Sequence, residues 1–160
     1  MDKKTLLDFI ANAHRHTYAA PKEVKKLYRC DIPILPGHKD YRYQEGDLVY
    51  HDSYAGSIWA PGREVIFLSD QPIWAMSYQG RPIGDQDNDF FQIEAFPFLR
   101  KALMGFKDEL PFRGPKEFSQ GDFRYSFEMD GGYDYFKGEE QILYRGTRIF
   151  LQHVMGSLIR

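Results

Sequence analysis

Apolar positions recur first at helical spacing. Leu6, Leu7, Ile10 and Ala11, with His14 continuing the stripe, follow the i, i+3, i+4 rhythm of a helix packed on a core. Thr5 is placed to cap this helix, and Pro21 ends it or opens a short second turn through Lys26. Asp31 to His38 carries Pro33, Pro36 and Gly37 and is expected to be an irregular connection. The pattern then turns β-like. Leu48 to Tyr54 follows the Gly46-Asp47 turn signal and reads as a strand. Gly56 and Pro61-Gly62 bracket a loop holding Trp59. Arg63 to Leu68 and Ile73 to Tyr78 read as strands joined by the short polar stretch Ser69-Asp70-Gln71-Pro72, which suits a hairpin. Gly80 to Asp89 is polar and Gly/Asp-rich, and marks a boundary.

The order repeats beyond that boundary. Pro97 sits well at a helix start, where its missing N–H costs nothing. Phe98, Leu99, Ala102 and Leu103 give the apolar stripe, Gly105 ends it, and Leu110-Pro111-Phe112-Arg113-Gly114-Pro115 is a second connection. Phe123 to Met129, Gln141 to Tyr144 and Arg148 to Val154 read as three strands, with turns at Gly131-Gly132 and Arg145-Gly146.

Local sequence repeats as well, at an offset of about 75 residues. Gly46/Gly121, Asp47/Asp122, Tyr50/Tyr125, Gly62/Gly138, Glu64/Glu140, Ile66/Ile142, Ile73/Ile149 and Gly80/Gly156 are identical pairs in order. The expected fold is therefore α+β: internally duplicated helix–three-strand units forming an antiparallel sheet covered by two main helices. The chain is expected to be one domain, 1–160, with pseudo-symmetric halves at about 1–84 and 85–160. One asymmetry stands out. Val65, Trp74, Met76 and Tyr78 align with Gln141, Phe150, Gln152 and Val154, so the first meander is apolar on both faces. Its second face needs a cover: a ligand, a partner subunit or the Asp31–His38 segment.

Composition narrows the function classes. A net charge of −2 and a pI near 6.2 provide no overall positive field, so nucleic acid is not an expected partner. The one basic cluster, Lys22, Lys25, Lys26 and Arg29, is interrupted by Glu23 and reads as a solvated helix face. No apolar run approaches a membrane span, the start is no signal core, and the lone Cys30 forbids an internal disulfide. A reducing cytoplasm is the expected setting. Rings are unusually abundant, at 13 Phe, 11 Tyr and 2 Trp. They suit an aromatic core and also a ring-lined pocket.

Catalytic signatures are absent. The chain lacks a nucleophile elbow, a phosphate-cradling loop and zinc-type Cys/His spacing. Asp85 to Asp89 alternates carboxylates like a calcium loop, but Phe90 and Phe96 stand where Gly and Glu are required. No metal or cofactor is expected. Asp47 and Asp122 read as turn residues. Glu64 and Glu140, near the starts of matching strands, could orient a cationic or hydroxylated ligand, and Trp59, Trp74 and Tyr78 could hold an amine by cation–π attraction.

The Gly-Asp-x-x-Tyr passages at Gly46 and Gly121, the run Pro72-Ile73-Trp74-Ala75-Met76-Ser77-Tyr78-Gln79-Gly80, and Pro111-Phe112-Arg113-Gly114-Pro115 resemble a bacterial family catalogued as a domain of unknown function. The resemblance runs from about Leu6 onward and rests on turn and strand pieces. It implies a domain that occurs alone or behind helix-turn-helix segments of transcriptional regulators. No helix-turn-helix is expected upstream of Leu6, so the resemblance implies effector sensing without DNA binding. Three functions follow as expectations. The first is a ligand-binding or sensory module, with a small apolar or amine ligand between the halves near Trp59, Glu64, Trp74, Met76, Tyr78 and Glu140. The second is an interaction or homodimerisation module. The third is a small enzyme using Glu64 or Glu140.

Overall fold

Tight turns set the register of the sheet. Gly46-Asp47, Ser69-Asp70, Gly121-Asp122 and Arg145-Gly146 each leave two residues between paired strands. Gly46 and Gly121 take φ of 55° and 59°, the left-handed region where a side chain is strained and glycine is not. The computed structural model describes residues 1–105 and 111–160. Its strands are β1 (His38–Glu45), β2 (Leu48–Ala55), β3 (Gly62–Leu68), β4 (Gln71–Pro82), β5 (Glu117–Gln120), β6 (Phe123–Gly131), β7 (Tyr135–Tyr144) and β8 (Thr147–Leu158). The expected connection at 110–115 begins at Leu110, outside the described residues.

All neighbouring strands pair antiparallel in one eight-stranded sheet, in the order β1-β2-β3-β4-β8-β7-β6-β5. Two meanders therefore meet at β4 and β8, the longest strands at 12 residues each. The edges fall on β5, only four residues long, and on β1, whose outward side carries His38, Arg42 and Gln44. Short, charged edges discourage pairing with another chain. Each meander has four strands, one more than expected. β1 and β5 evade a hydrophobic reading because single rings (Tyr41, Tyr43 and Phe118) hold them down among polar neighbours.

Helices lie on one face. α1 (Lys3–His16) is capped by Asp2, whose carboxylate accepts from the Thr5 backbone N–H, three positions earlier than the expected Thr5 cap. A short α2 (Lys22–Lys25) runs into a 3₁₀ turn at Lys26–Tyr28. α3 (Asn88–Phe90), a π turn at Phe91–Ala95 and α4 (Phe96–Met104) follow one another without a break, behind an Asp87 cap. No described helix is long and apolar enough to cross a membrane.

Alternation along the strands puts Tyr43, Tyr50, Ile66, Trp74, Met76 and Phe150 on the helix-facing side. The helices meet them ring to ring, as in Phe9–Tyr43 at 5.8 Å, Phe96–Phe150 at 5.6 Å and Phe98–Phe123 at 5.0 Å. Glycines let rings lie flat on the strands: a Cβ at Gly156 would stand 2.4 Å from Phe136, and one at Gly80 would stand 2.4 Å from Phe150. A bulge re-aims Ile149 so that it joins Phe150 in the core. Trp74 has no exposure, stacks on Phe112 at 5.3 Å and Phe136 at 6.2 Å, and its buried Nε1 finds no partner among the described residues.

Trp74→Ala is expected to lower stability by about 3–5 kcal/mol, read from urea unfolding. A loss below about 1 kcal/mol would mean that the ring lines open space rather than filling a core.

Candidate functional site

Strand alternation aims charge at the covered face as well as rings. Asp52 follows Tyr50 and precedes Tyr54 at two-residue spacing, so all three point under the helices. Asp52 stands directly opposite Glu64 across β2 and β3, and Glu140 stands opposite Gln152 across β7 and β8. These four polar side chains are at most 5% exposed. Burying such groups is costly unless each finds partners.

Glu140 is fully compensated. Arg113, brought in by the buried run Pro111 to Gly114, donates from Nε and Nη2 to its two oxygens at 2.8 Å each. Tyr125 donates its hydroxyl at 2.9 Å and Gln152 its amide at 3.1 Å. The Gly114 N–H in turn donates to the Tyr125 hydroxyl at 3.0 Å. Burial disfavours the Arg113 charge, but the Glu140 charge beside it outweighs this and raises its pKa above the ordinary arginine value. This bidentate pair is the strong form of such a contact.

The other two carboxylates have fewer partners. Glu64 lies 2.8 Å from the His14 Nε2 of α1. Asp52 accepts from the Tyr78 hydroxyl at 2.6 Å. Burial, then the Glu64 charge, push the Asp52 carboxyl well above the usual carboxylate range. Burial and the Asp52 charge likewise raise the Tyr78 phenol, which stays a donor. The Arg113 guanidinium sits 5.8 Å from the centre of the Tyr78 ring.

A cavity of about 270 Å³ opens beside these groups, with Asp52, Glu64, Tyr78 and Arg113 among its lining. Its walls come from both parts of the chain: Tyr18, Tyr54 and Ile58 from one, Phe96, Leu99 and Phe150 from the other. Lys25, Arg29, Lys39 and Arg100 also line it. A larger trough, about 830 Å³, crosses the opposite side of the sheet past Ser77, Lys137, Glu139, His153 and Met155. It is open, and its side chains are mostly solvated, so it lacks the convergent buried polar groups that mark the smaller cavity. Among the described residues, no group of three or more His, Cys, Asp or Glu side chains is arranged to hold a metal ion.

The six residues singled out from sequence lie in four places. Glu64 and Tyr78 line the cavity. Glu140, with no exposure, lies behind Arg113 and anchors it, outside the lining. Trp74 and Met76 are fully buried in the core, and Trp59 stands 57% exposed on the loop that supplies Ser57, Ile58 and Ala60 to the wall. Sequence reasoning missed Asp52, Tyr18, Arg100 and Arg113. For Asp52 there was a signal, an acid between two tyrosines on one strand face. Lys22, Lys26 and Arg29 are exposed, as a solvated face requires, but Arg29 also lines the cavity, together with the half-buried Lys25.

A carboxyl whose folded pKa is raised gains its proton on folding, so its stabilising contribution is present below the unfolded pKa and is lost as pH rises through the folded one. Asp52→Asn removes that loss. The variant is expected to melt with wild type below about pH 4 and increasingly above it as pH rises beyond the ordinary carboxylate range. A melting gap that does not change with pH would contradict the raised pKa.

No curated protein and no solved structure matches the chain. A family model described as a domain of unknown function matches residues 52–159, a span that holds Asp52, Glu64, Tyr78, Arg100, Arg113 and Glu140 and leaves out Tyr18, Lys25, Arg29 and Lys39. The chain belongs to that family, DUF5680.

Proposed function

We propose that the chain is a small-molecule-binding or sensory module whose ligand occupies the cavity between its two halves. The observation that carries this reading is the cavity itself, where nearly unexposed ionisable groups converge and are only partly compensated by protein. Ligand sites are concave, ring-lined and found at the junctions of subdomains, with a few placed polar groups.

The same reading treats the protein as one domain built by tandem copying. Several regularities support it. A helix precedes each four-strand meander, and the two-residue turns recur at the repeat offset. Register shifts fall at Ile66/Phe67 and at Ile142/Leu143, which are matching positions. Where the meanders meet, Trp74 pairs with Leu158 and Pro82 with Phe150, symmetrically about Tyr78–Val154. Divergence between the copies then made the site: Asp52 and Glu64 stand where Phe127 and Glu140 stand in the second half. The family context implied by sequence, behind helix-turn-helix segments of bacterial regulators, fits a cytoplasmic sensor.

A thermal-shift screen over small polar metabolites and aromatic compounds tests the proposal. A ligand at a hundred times its Kd stabilises the fold by about 2.7 kcal/mol. The expected result is a rise in melting temperature that Asp52→Asn or Tyr78→Phe diminishes. Flat melting across a broad panel would reject the module.

A second reading has its own observation. Ile32, Ile34 and Leu35 are 86%, 74% and 52% exposed on the segment before β1. Such a patch fits a homodimer contact. Light scattering is expected to show a dimer that Ile32→Asp and Ile34→Asp dissociate if this surface self-associates. A wild-type monomer at high concentration would exclude it.

A further inference from the structure

We infer that the cavity takes a small organic anion, its charged group held among Lys25, Arg29, Lys39 and Arg100 and its body lying between the rings of Tyr18 and Tyr54. This rests on the cavity being a binding site, and it replaces the apolar or amine ligand expected from sequence with a specific chemical class.

Charge in the lining is unbalanced. Five cationic side chains line the cavity against two carboxylates, Asp52 and Glu64. Arg113 is already neutralised by Glu140, and Glu64 already faces His14. The remaining four cations form no ion pair among the described residues. They come from separate elements: Lys25 from α2, Arg29 just after the 3₁₀ turn, Lys39 from β1 and Arg100 from α4. Their convergence is thus a product of tertiary structure in a chain whose net charge is −2. An ordinary solvated helix face would not need it.

Two of these cations lie against the ring walls. Lys25 Nζ lies 5.7 Å from the centre of the Tyr18 ring, and Lys39 Nζ lies 5.5 Å from that of Tyr54. Lys39 also donates to the Gly56 carbonyl at 3.1 Å. Burial, and then the positive neighbours Arg100, Arg29, Lys22 and Lys39, hold Lys25 below the ordinary lysine range. Cations that crowd one another in this way gain from an anion placed among them and lose from an ammonium.

Size and depth limit the body. The cavity volume, about 270 Å³, falls just short of the range for drug-sized ligands, so a single-ring compound is the right scale. Its polar inner end offers Asp52 and the Tyr78 hydroxyl, 2.6 Å apart, to a ligand hydroxyl. Carboxylate and phosphate share the chemistry that the mouth recognises.

Isothermal titration of the full chain with four single-ring probes tests this: 4-hydroxybenzoate, phenyl phosphate, neutral 4-hydroxybenzamide and cationic tyramine. At least one anion is expected to bind tenfold or more tighter than the amide and the amine. Comparing the first two assigns carboxylate or phosphate. Arg100→Gln is expected to weaken the anion about tenfold and narrow its lead over the amide, and Lys39→Gln serves if that variant does not fold. Amide or amine binding as tightly as both anions would overturn the anion and leave the module standing. Anion affinity unchanged in a folded Arg100→Gln or Lys39→Gln protein would overturn it too, by placing the anion elsewhere. Silence from all four probes, with melting shifts from other compounds, would reject the anion alone; silence from both experiments would reject the module as well.

Discussion

A buried guanidinium holds this fold's polar interior together. One sheet directs Asp52, Glu64 and Glu140 beneath its helices, where they are nearly unexposed. Arg113 reaches that layer and gives a two-bond fork to Glu140. Tyr125 and Gln152 complete the carboxylate's shell, and Gly114 ties the arginine's own segment back to Tyr125. Removing one partner of such a pair leaves a stranded charge, which costs far more than the pair itself contributes. The segment from Pro111 to Gly114 is therefore fixed against the sheet by chemistry as well as by packing. Everything on the cavity side of Arg113 depends on this placement.

The arrangement around Asp52 and Glu64 differs from that at Glu140. Glu64 has the His14 ring of α1 at 2.8 Å, and Asp52 stands opposite it. Two carboxylates face each other with a tyrosine and a histidine between them and the surrounding core. Asp52 and Glu64 themselves border open volume, whereas Glu140 lies behind Arg113, outside the lining. A protein needing only stability would gain by filling the space and replacing the acids with apolar groups. Retained polar groups next to a cavity are the pattern expected of a site, and the cationic mouth then limits what can enter.

Much of this architecture was legible in sequence. Turn residues located the tight turns of the β3–β4 and β7–β8 hairpins, and helical periodicity located α1 and α4, but β4 runs on through Pro82 and β7 starts at Tyr135, six residues before the apolar run that marked it. β1 and β5 were not legible, because each is held by rings on one face and by hydrogen bonds to its neighbour, which periodicity of apolar residues does not register. The site was legible only in part. Glu64 and Tyr78 carried a visible signal as polar residues in apolar strands. Trp59, Trp74 and Met76 drew attention as large side chains, yet size alone does not separate a core ring from a wall. Arg113 sits in a Pro/Gly-rich connection whose path no local pattern predicts. Lys25, Arg29, Lys39 and Arg100 converge only in three dimensions, and each reads alone as a solvated charge.

The central claim is that the volume beside Asp52 is where a ligand lodges. A crystal structure of the protein grown with its tightest-binding small molecule addresses it most directly. The account predicts that molecule within the cavity, in contact with Tyr78 at its inner end and with Arg100 at its mouth. Finding it in the trough on the opposite side of the sheet, with only water beside Asp52, would contradict the account.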